Sequence, residues 1–273
     1  MKTLRMCAAL ALVGCGEDGP SEAPTSEVVQ VAAISLPLDA TPSPDGETIY
    51  FVTPSALYRA AEGAPVKLAD IPRASSVVAR DDMLFVGTAQ GVLAVPVAGG
   101  DPTQVPGTEG FDVRMLDLTD RLVLAGAAPG DVEGVFVVPF SGGTPEAVVT
   151  GLDNEPSGVL ALDDGAYVVA MADGRVMRAQ GEVAEIIFEY EDLGLPATGL
   201  ALAPDGRLMI SSVSASGTAQ VLLLDETGAT TVFDQGIGAN RSAAGLHQAE
   251  GGGTWAWADS SEGGGVYRIR LRL

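Results

Sequence analysis

The sequence feature that most limits the possible folds is a series of short apolar runs that are separated by turn residues. Between Leu195 and Asp234, four such runs follow one another, and Pro204-Asp205-Gly206 separates the first run from the second. Short apolar runs between Gly, Asp and Pro residues are typical of strands that are joined by tight turns. This segment therefore predicts a unit of four antiparallel strands.

The same unit recurs along the chain, and the turn after each innermost strand supplies a marker. The six markers are Asp45, Asp81, Asp120, Asp164, Asp205 and Glu250. The intervals between them are 36, 39, 44, 41 and 45 residues. Four strands per repeat at this period are typical of a β-propeller. A parallel β-helix is the main alternative, but its rungs are shorter and lack paired hairpin turns. The pattern predicts an all-β fold with six blades.

The two ends of the repeat region predict how the ring closes. The last repeat has three strands, at residues 243–247, 254–258 and 266–271, and lacks an outer one. A separate strand is predicted at Val28–Ser35, before the first complete repeat. We expect this strand to complete the sixth blade, so that residues 28–273 form one propeller domain.

The N-terminal segment indicates export. Lys2 and Arg5 precede a nine-residue apolar stretch, Met6–Gly14, which is too short to span a bilayer and is typical of a secretory signal. Leu12-Val13-Gly14-Cys15 resembles the bacterial lipobox. That resemblance implies cleavage of residues 1–14 and lipidation of Cys15 through its thiol and its new amine. An ordinary secreted protein with a spare cysteine is the alternative.

A lipidated Cys15 would determine where the protein resides. Residues 16–27 contain no large apolar residue, and residues 15–27 are expected to form a flexible acidic tether. Two or three acyl chains hold a protein on a membrane stably. We therefore expect a protein of the bacterial cell envelope, and Gly16 favours the outer membrane by resemblance to enterobacterial sorting. Cys7 would leave with the leader, so no disulfide is expected.

Charge excludes one class of partner. The chain has 36 acidic and 15 basic residues and a net charge of −21, which becomes −23 when Lys2 and Arg5 are removed with the leader. Such a surface repels nucleic acid and favours cationic partners. The alternative is that the acidic residues only solvate the many turns. We expect a monomer that binds the membrane through its lipid and an unidentified protein or small molecule through its propeller.

The repeats resemble known propeller families. Ser43-Pro44-Asp45-Gly46 and the strand after it resemble the TolB-type repeat. Thr198–Gly206 and Ser157–Gly165 resemble repeats of the NHL and SMP-30/gluconolactonase types. These resemblances imply the propeller fold and leave the activity open, because one fold serves many functions.

The resemblance to SMP-30 also raises the possibility of catalysis. That family holds a divalent metal at the channel mouth with carboxylates and an asparagine. At the matching positions this chain has Pro156-Ser157-Gly158 and Ala197-Thr198-Gly199, without the asparagine, although Asn154 and Glu155 lie close by. Streptogramin-lyase-like propellers use a histidine base, and His247 is the single histidine here. A metal-dependent hydrolase or lyase is therefore the alternative function, and a divalent metal is the one cofactor that it would need.

Two tryptophans alternate along one predicted strand of the sixth blade. Trp255 and Trp257 point to the same face of that strand. They are expected to fill the seam between the sixth blade and its neighbour, and stacking on a sugar or a peptide ring is the alternative.

The loops that enter the innermost strands share one end of the propeller and are predicted to form the binding surface. The predicted site residues there are Asp39, Arg73, Asp112, Arg114, Asn154, Glu155, Asn240 and Arg241, with His247 on the sixth inner strand. We expect them to bind an anionic or mixed polar ligand, or a partner's loop, without catalysis. The alternative is a structural ring of local ion pairs.

Overall fold

The computed structural model describes residues 25–61, 64–189, 195–213, 219–225, 228–234, 243–249, 252–260 and 264–272. In these ranges, 24 β-strands form six four-stranded antiparallel sheets, which are the blades of a ring. The same ranges contain no helix long and apolar enough to cross a membrane. The prediction of an all-β, six-bladed β-propeller is confirmed.

The strands are named in chain order, and the first of them, β1, spans Thr25–Ala33. Blade 1 contains β2 Asp39–Pro42, β3 Ile49–Thr53, β4 Ala56–Ala60 and β5 Val66–Asp70. Blade 2 contains β6 Ala74–Arg80, β7 Met83–Thr88, β8 Gly91–Pro96 and β9 Thr103–Gln104. Blade 3 contains β10 Asp112–Leu118, β11 Leu122–Ala128, β12 Val132–Val138 and β13 Glu146–Val149.

Blade 4 contains β14 Pro156–Ala161, β15 Tyr167–Met171, β16 Arg175–Gln180 and β17 Val183–Glu189. Blade 5 contains β18 Leu195–Leu202, β19 Leu208–Val213, β20 Ala219–Asp225 and β21 Gly228–Asp234. Blade 6 contains β22 Ala243–Gln248, β23 Thr254–Asp259 and β24 Gly265–Arg272, together with β1.

The first strand of each repeat is the innermost one. β2, β6, β10, β14, β18 and β22 each contact the inner strand of the next blade, and β22 returns to β2, so these six strands surround the ring axis. Their outward edges pair with the second strand of the blade, while their inward edges face the axis. Free strand edges carry backbone N–H and C=O groups that need partners when buried.

Blade 6 is completed by the N-terminal strand. Its strand order is β1-β24-β23-β22, and Val28 pairs with Ile269. This confirms the predicted ring closure. The strand begins at Thr25 and ends at Ala33, whereas Val28 and Ser35 are the predicted limits, so it overlaps the last residues of the predicted tether, 15–27.

The turns after the inner strands explain why the markers recur. In blade 1, the Ser43 hydroxyl donates a hydrogen bond to Asp45 Oδ1 at 2.6 Å, and Gly46 N–H donates to the Ser43 carbonyl at 2.8 Å. Gly46 adopts φ 74°, in the left-handed region that glycine enters without steric cost. The hydroxyl of Ser43 is the main reason that the pKa of Asp45 is lowered, so this carboxylate stays charged.

The hydrophobic core consists of six clusters of buried residues, one in each seam between neighbouring blades. The seam between blades 5 and 6 contains Trp255 and Trp257, which are both fully buried. Trp255 donates to the Leu202 carbonyl at 3.1 Å, and Trp257 donates to the Ser211 hydroxyl at 2.7 Å. The prediction that the two tryptophans fill this seam is confirmed.

The two ends of the propeller differ in the loops that they carry. We call "the rim" the end with the loops that enter the inner strands and the hairpins between second and third strands. Backbone hydrogen bonds join these loops, from Arg73 N–H to the Pro54 carbonyl and from Ala172 N–H to the Glu155 carbonyl, each 2.8 Å long. We call "the turn face" the opposite end, which carries the hairpins between inner and second strands.

Candidate functional site

The predicted site residues do not form one surface. Asp39 and His247 lie together in a buried group at the ring axis, while Asp112, Arg114 and Glu155 lie together on the rim. Asn154 belongs to a neighbouring rim group, and among the described residues no ion pair joins Arg73 to any of these groups. Asn240 and Arg241 lie outside the described residues.

The buried group is centred on Asp39, the first residue of β2, whose side chain is 0% exposed. Its Oδ2 accepts a hydrogen bond from Val77 N–H on β6 at 2.8 Å, and its Oδ1 accepts one from Ala40 N–H at 2.8 Å. His247 Nε2 on β22 lies 3.1 Å from Asp39 Oδ2. One carboxylate therefore connects blades 1, 2 and 6 at their inner edges.

Asp117 uses the same arrangement on another blade. Its Oδ2 accepts a hydrogen bond from Ala161 N–H at 2.7 Å, which joins inner strand β10 to inner strand β14. Both aspartates satisfy an edge amide of the next inner strand, which would otherwise be buried without a partner. Asp117 was not predicted from the sequence, because an aspartate near the end of an apolar strand gives no local sign of a partner 44 residues away.

The charges of these groups are coupled. Burial disfavours the protonated ring of His247, but the carboxylates of Asp39 and Asp117 outweigh this effect and raise the pKa of His247 above 6.5. Desolvation raises the pKa of Asp117, and the hydrogen bond from Ala161 opposes that shift. The neighbouring carboxylates therefore favour the protonated form of His247, in which Nε2 donates to Asp39 Oδ2.

A glycine makes room for this group. Gly245, two residues before His247 on β22, lies against the Asp39 side chain, and a Cβ atom on it would sit 1.4 Å from Asp39 Oδ1. Gly245 N–H also donates to the Leu38 carbonyl at 3.3 Å. Only a residue without a side chain allows blade 6 to approach blade 1 this closely.

The first rim group is built around Arg114 on β10. Its guanidinium makes two hydrogen bonds to Glu133, of 2.6 and 3.0 Å, and lies 3.6 Å from Asp112 and 4.0 Å from Glu155. The hydrogen bond to Glu133 is the main reason that the pKa of Arg114 is raised. The contacts of Arg114 fit the alternative that the sequence left open, a structural ring of local ion pairs. Glu133 had not been predicted.

The second rim group is built around Arg175 and was missed. Arg175 Nη2 lies 2.6 Å from Asp153 Oδ1, and its Nε donates to Asp173 Oδ2 at 2.8 Å. Arg175 and a hydrogen bond with Asn154 help to lower the pKa of Asp173 to about 2. Asn154 Oδ1 also accepts the N–H of Glu155 at 2.8 Å, which links this group to that of Arg114.

Arg73 has a different environment. It lies in the loop before β6 with φ 60°, and its side chain is exposed on the rim. A non-glycine residue in the left-handed region is uncommon and holds the loop in a defined conformation. No ion pair to Arg73 occurs among the described residues. Among the described arginines of the rim, Arg73 is therefore the one whose guanidinium is available to a partner.

Comparison with known proteins identifies structures with the same fold. No protein-family model matches the sequence, and no curated protein matches it. Solved structures do match. A gluconolactonase from Xanthomonas campestris is 12% identical with a TM-score of 0.70, covering 90% of each chain. Regucalcin, a calcium-binding protein from Agrobacterium tumefaciens, is 12% identical with a TM-score of 0.66, covering 88% of this chain and 92% of its own.

A third similar structure is a protein from Agrobacterium tumefaciens that is described as TolB, 14% identical with a TM-score of 0.63. The match covers 92% of this chain and 98% of that one. The structural neighbours are thus gluconolactonase-like and TolB-like propellers. At these identities, the likeness shows a shared propeller fold.

The donors on the rim do not fit a divalent cation. Among the described residues, no three His, Cys, Asp or Glu side chains are grouped so that they could hold a metal ion. The rim carboxylates converge, but they converge on the guanidinium groups of Arg114 and Arg175. A bound cation would have to displace an arginine that already satisfies them.

Proposed function

We propose that this protein is a lipid-anchored component of the bacterial cell envelope whose propeller binds a partner at the rim and does not catalyse a reaction. Lipidation of Cys15 would hold it on the membrane, and the outer membrane is the favoured location. The fold supports this role, because a rigid ring of blades can present its loops in fixed positions.

The proposal that the propeller does not catalyse a reaction rests on the burial and contacts of His247. A general base must accept a proton from a substrate, directly or through one water molecule. His247 is 8% exposed, its Nε2 lies 3.1 Å from Asp39 Oδ2, and the carboxylates of Asp39 and Asp117 outweigh burial and raise its pKa. The histidine therefore links inner strands β22 and β2 and is poorly suited to act as a base.

The charge of the rim suggests the kind of partner. Two arginines, Arg114 and Arg175, face five carboxylates, those of Asp112, Glu133, Glu155, Asp153 and Asp173. This part of the rim is net negative, so we propose a partner with cationic and hydrogen-bonding groups, such as a protein loop with lysines or arginines. The sequence-based expectation of an anionic ligand is retained only for Arg73.

Site-specific photocrosslinking in cells tests this proposal. A photoreactive amino acid at Val132, which is 51% exposed in the rim hairpin of blade 3, should capture a partner. The matched control carries it at Asp120, in the turn-face hairpin of the same blade, and should capture none. Mutation of Glu155 to lysine should weaken the capture at Val132. Crosslinks from Asp120 alone, or no crosslink from Val132, would contradict the proposal.

A metal-dependent hydrolase or lyase is the second candidate, because a gluconolactonase is among the structural neighbours. This candidate requires a stoichiometric divalent cation in the purified protein. We expect elemental analysis after dialysis to find less than one Ca²⁺ or Mg²⁺ per chain. One tightly bound cation per chain, with lactone hydrolysis that a chelator abolishes, would favour the enzyme.

A further inference from the structure

The direction of β1 determines where the N-terminal segment leaves the propeller. Thr25 pairs with Arg272, and Ala33 pairs with Gly265. The Arg272 end of β24 lies beside Thr254, which follows the turn between β22 and β23 on the turn face. The chain therefore leaves Thr25 at the turn face, on the outer edge of blade 6.

The segment between Cys15 and Thr25 is short compared with the height of the propeller. It contains nine residues, and a flexible chain of that length has an average end-to-end distance of about 17 Å. The eight residues of β24 span about 25 Å from one end of the propeller to the other. A lipid on Cys15 thus reaches a membrane at the turn face easily, whereas a membrane at the rim would require the segment to stretch to about 25 Å, well beyond this average distance.

We propose that the turn face is the surface that lies against the membrane, and that the rim faces away from it. This inference rests on the proposed lipidation of Cys15. The occupant of the turn face is the headgroup layer of the lipid to which the protein is attached. The rim then remains open to a partner that is not part of this membrane.

The turn face carries arginines that the headgroup layer could bind. Six arginines form ion pairs with carboxylates of the turn face: Arg80, Arg121, Arg178, Arg207, Arg268 and Arg270. Their carboxylate partners are mostly exposed, and a guanidinium can exchange such a partner for a lipid phosphate with similar geometry. The same end also carries further exposed carboxylates, among them Asp82 and Asp163, so contact with the membrane depends on the lipid anchor and on these arginines and not on net charge.

Depth-dependent quenching in vesicles tests the orientation with the full chain. Single cysteines are introduced as Asp120→Cys on the turn face and Val132→Cys on the rim, where the side chains are 89% and 51% exposed. Each protein is purified from bacterial membranes, labelled with a thiol-reactive fluorophore and placed in vesicles that contain a lipid with a nitroxide headgroup. A protein without an added cysteine serves as the labelling blank, because Cys15 would be blocked by its lipid.

We expect the label at residue 120 to be quenched at least threefold more than the label at residue 132. A second pair, Pro44→Cys on the turn face and Ser55→Cys on the rim of blade 1, should show the same order, which separates a tilted propeller from an inverted one. Equal quenching in both pairs, or stronger quenching on the rim, would overturn the orientation alone. A protein that neither incorporates palmitate nor floats with vesicles would overturn the proposed anchoring and, with it, this inference.

Discussion

Replacing His247 with glutamine should remove a pH-dependent part of the propeller's stability. In the folded protein, the carboxylates of Asp39 and Asp117 raise the pKa of His247 above its value in the unfolded chain, about 6.5. A group of this kind stabilises the fold fully below pH 6.5, and the stabilisation is lost as the pH rises through the higher folded pKa. The wild type should therefore lose stability as the pH rises above 6.5, and the glutamine variant should not.

The size of the effect follows from the burial of the pair. Removing one partner of a buried ion pair costs about 3–5 kcal/mol, because the other charge is left without compensation. Glutamine can still donate one hydrogen bond to Asp39, so we expect a loss near the lower limit, about 3 kcal/mol at pH 5.5. For a domain of this size, 1 kcal/mol shifts Tm by about 2–4 °C, so the variant should melt about 6–12 °C lower. At pH 9 the difference between the two proteins should be smaller.

Urea unfolding followed by tryptophan fluorescence measures this difference. Trp255 and Trp257 are fully buried on β23, which pairs with the strand of His247, so their emission reports on the same blade. Lys67→Ala is a matched control, because its pair with Asp70 is exposed and screened by solvent, so its loss should change the unfolding free energy little at either pH. Parallel stability curves for wild type and His247→Gln between pH 5.5 and 9 would refute the assigned role of the histidine.

Three other changes test the fold and its anchor. Gly245→Ala places a Cβ atom 1.4 Å from Asp39 Oδ1, so it should lower the free energy of unfolding in urea by about 1–3 kcal/mol. In a chain that already carries Asp39→Ala, the same glycine substitution should not have this cost. Cys15→Ala should abolish metabolic palmitate labelling and leave an uncleaved precursor on an immunoblot; normal processing would contradict the lipobox. A variant with the leader fused directly to Leu36 loses β1 and exposes the β24 edge, so it should aggregate in size-exclusion chromatography, and a stable monomer would count against this closure.

The fold could be predicted from sequence because its rules are local. An apolar run between turn residues predicts a strand wherever it occurs, and Asp-Gly pairs such as Asp45-Gly46 and Asp205-Gly206 mark hairpins through side-chain and φ requirements that involve only a few residues. The closure by β1 followed from counting strands, since the last repeat lacked one. The seam position of Trp255 and Trp257 followed from their alternation on one strand.

The candidate site was predictable only in part, because it depends on contacts between blades. Asp39 and His247 were both named, yet nothing local shows that they meet across 208 residues at the ring axis. Irregular pairing adds to the difficulty: a register shift between Val113 and Met115 in β10 displaces the side chains of that strand by one residue. Arg175 was missed because its partners come from two separate loops that only the folded ring brings together.

The packing of the seams explains why polar contacts are needed at the axis. The seam between blades 5 and 6 contains two tryptophans, whereas five of the eight buried residues in the seam between blades 6 and 1 are alanines. Alanines bury little apolar area, and hydrophobic stabilisation scales with buried area. This seam is also where the two ends of the chain must meet, since blade 6 contains both β1 and β24.

Polar links compensate for the small side chains of that seam at two distances from the axis. At the centre, His247 binds Asp39 and Gly245 N–H donates to the Leu38 carbonyl. On the turn face, Glu47 of blade 1 accepts hydrogen bonds from Arg268 and Arg270 of blade 6, at 3.4 and 3.1 Å. The exposed links to Glu47 contribute little individually, so the buried Asp39–His247 pair is the contact on which closure of this seam depends most.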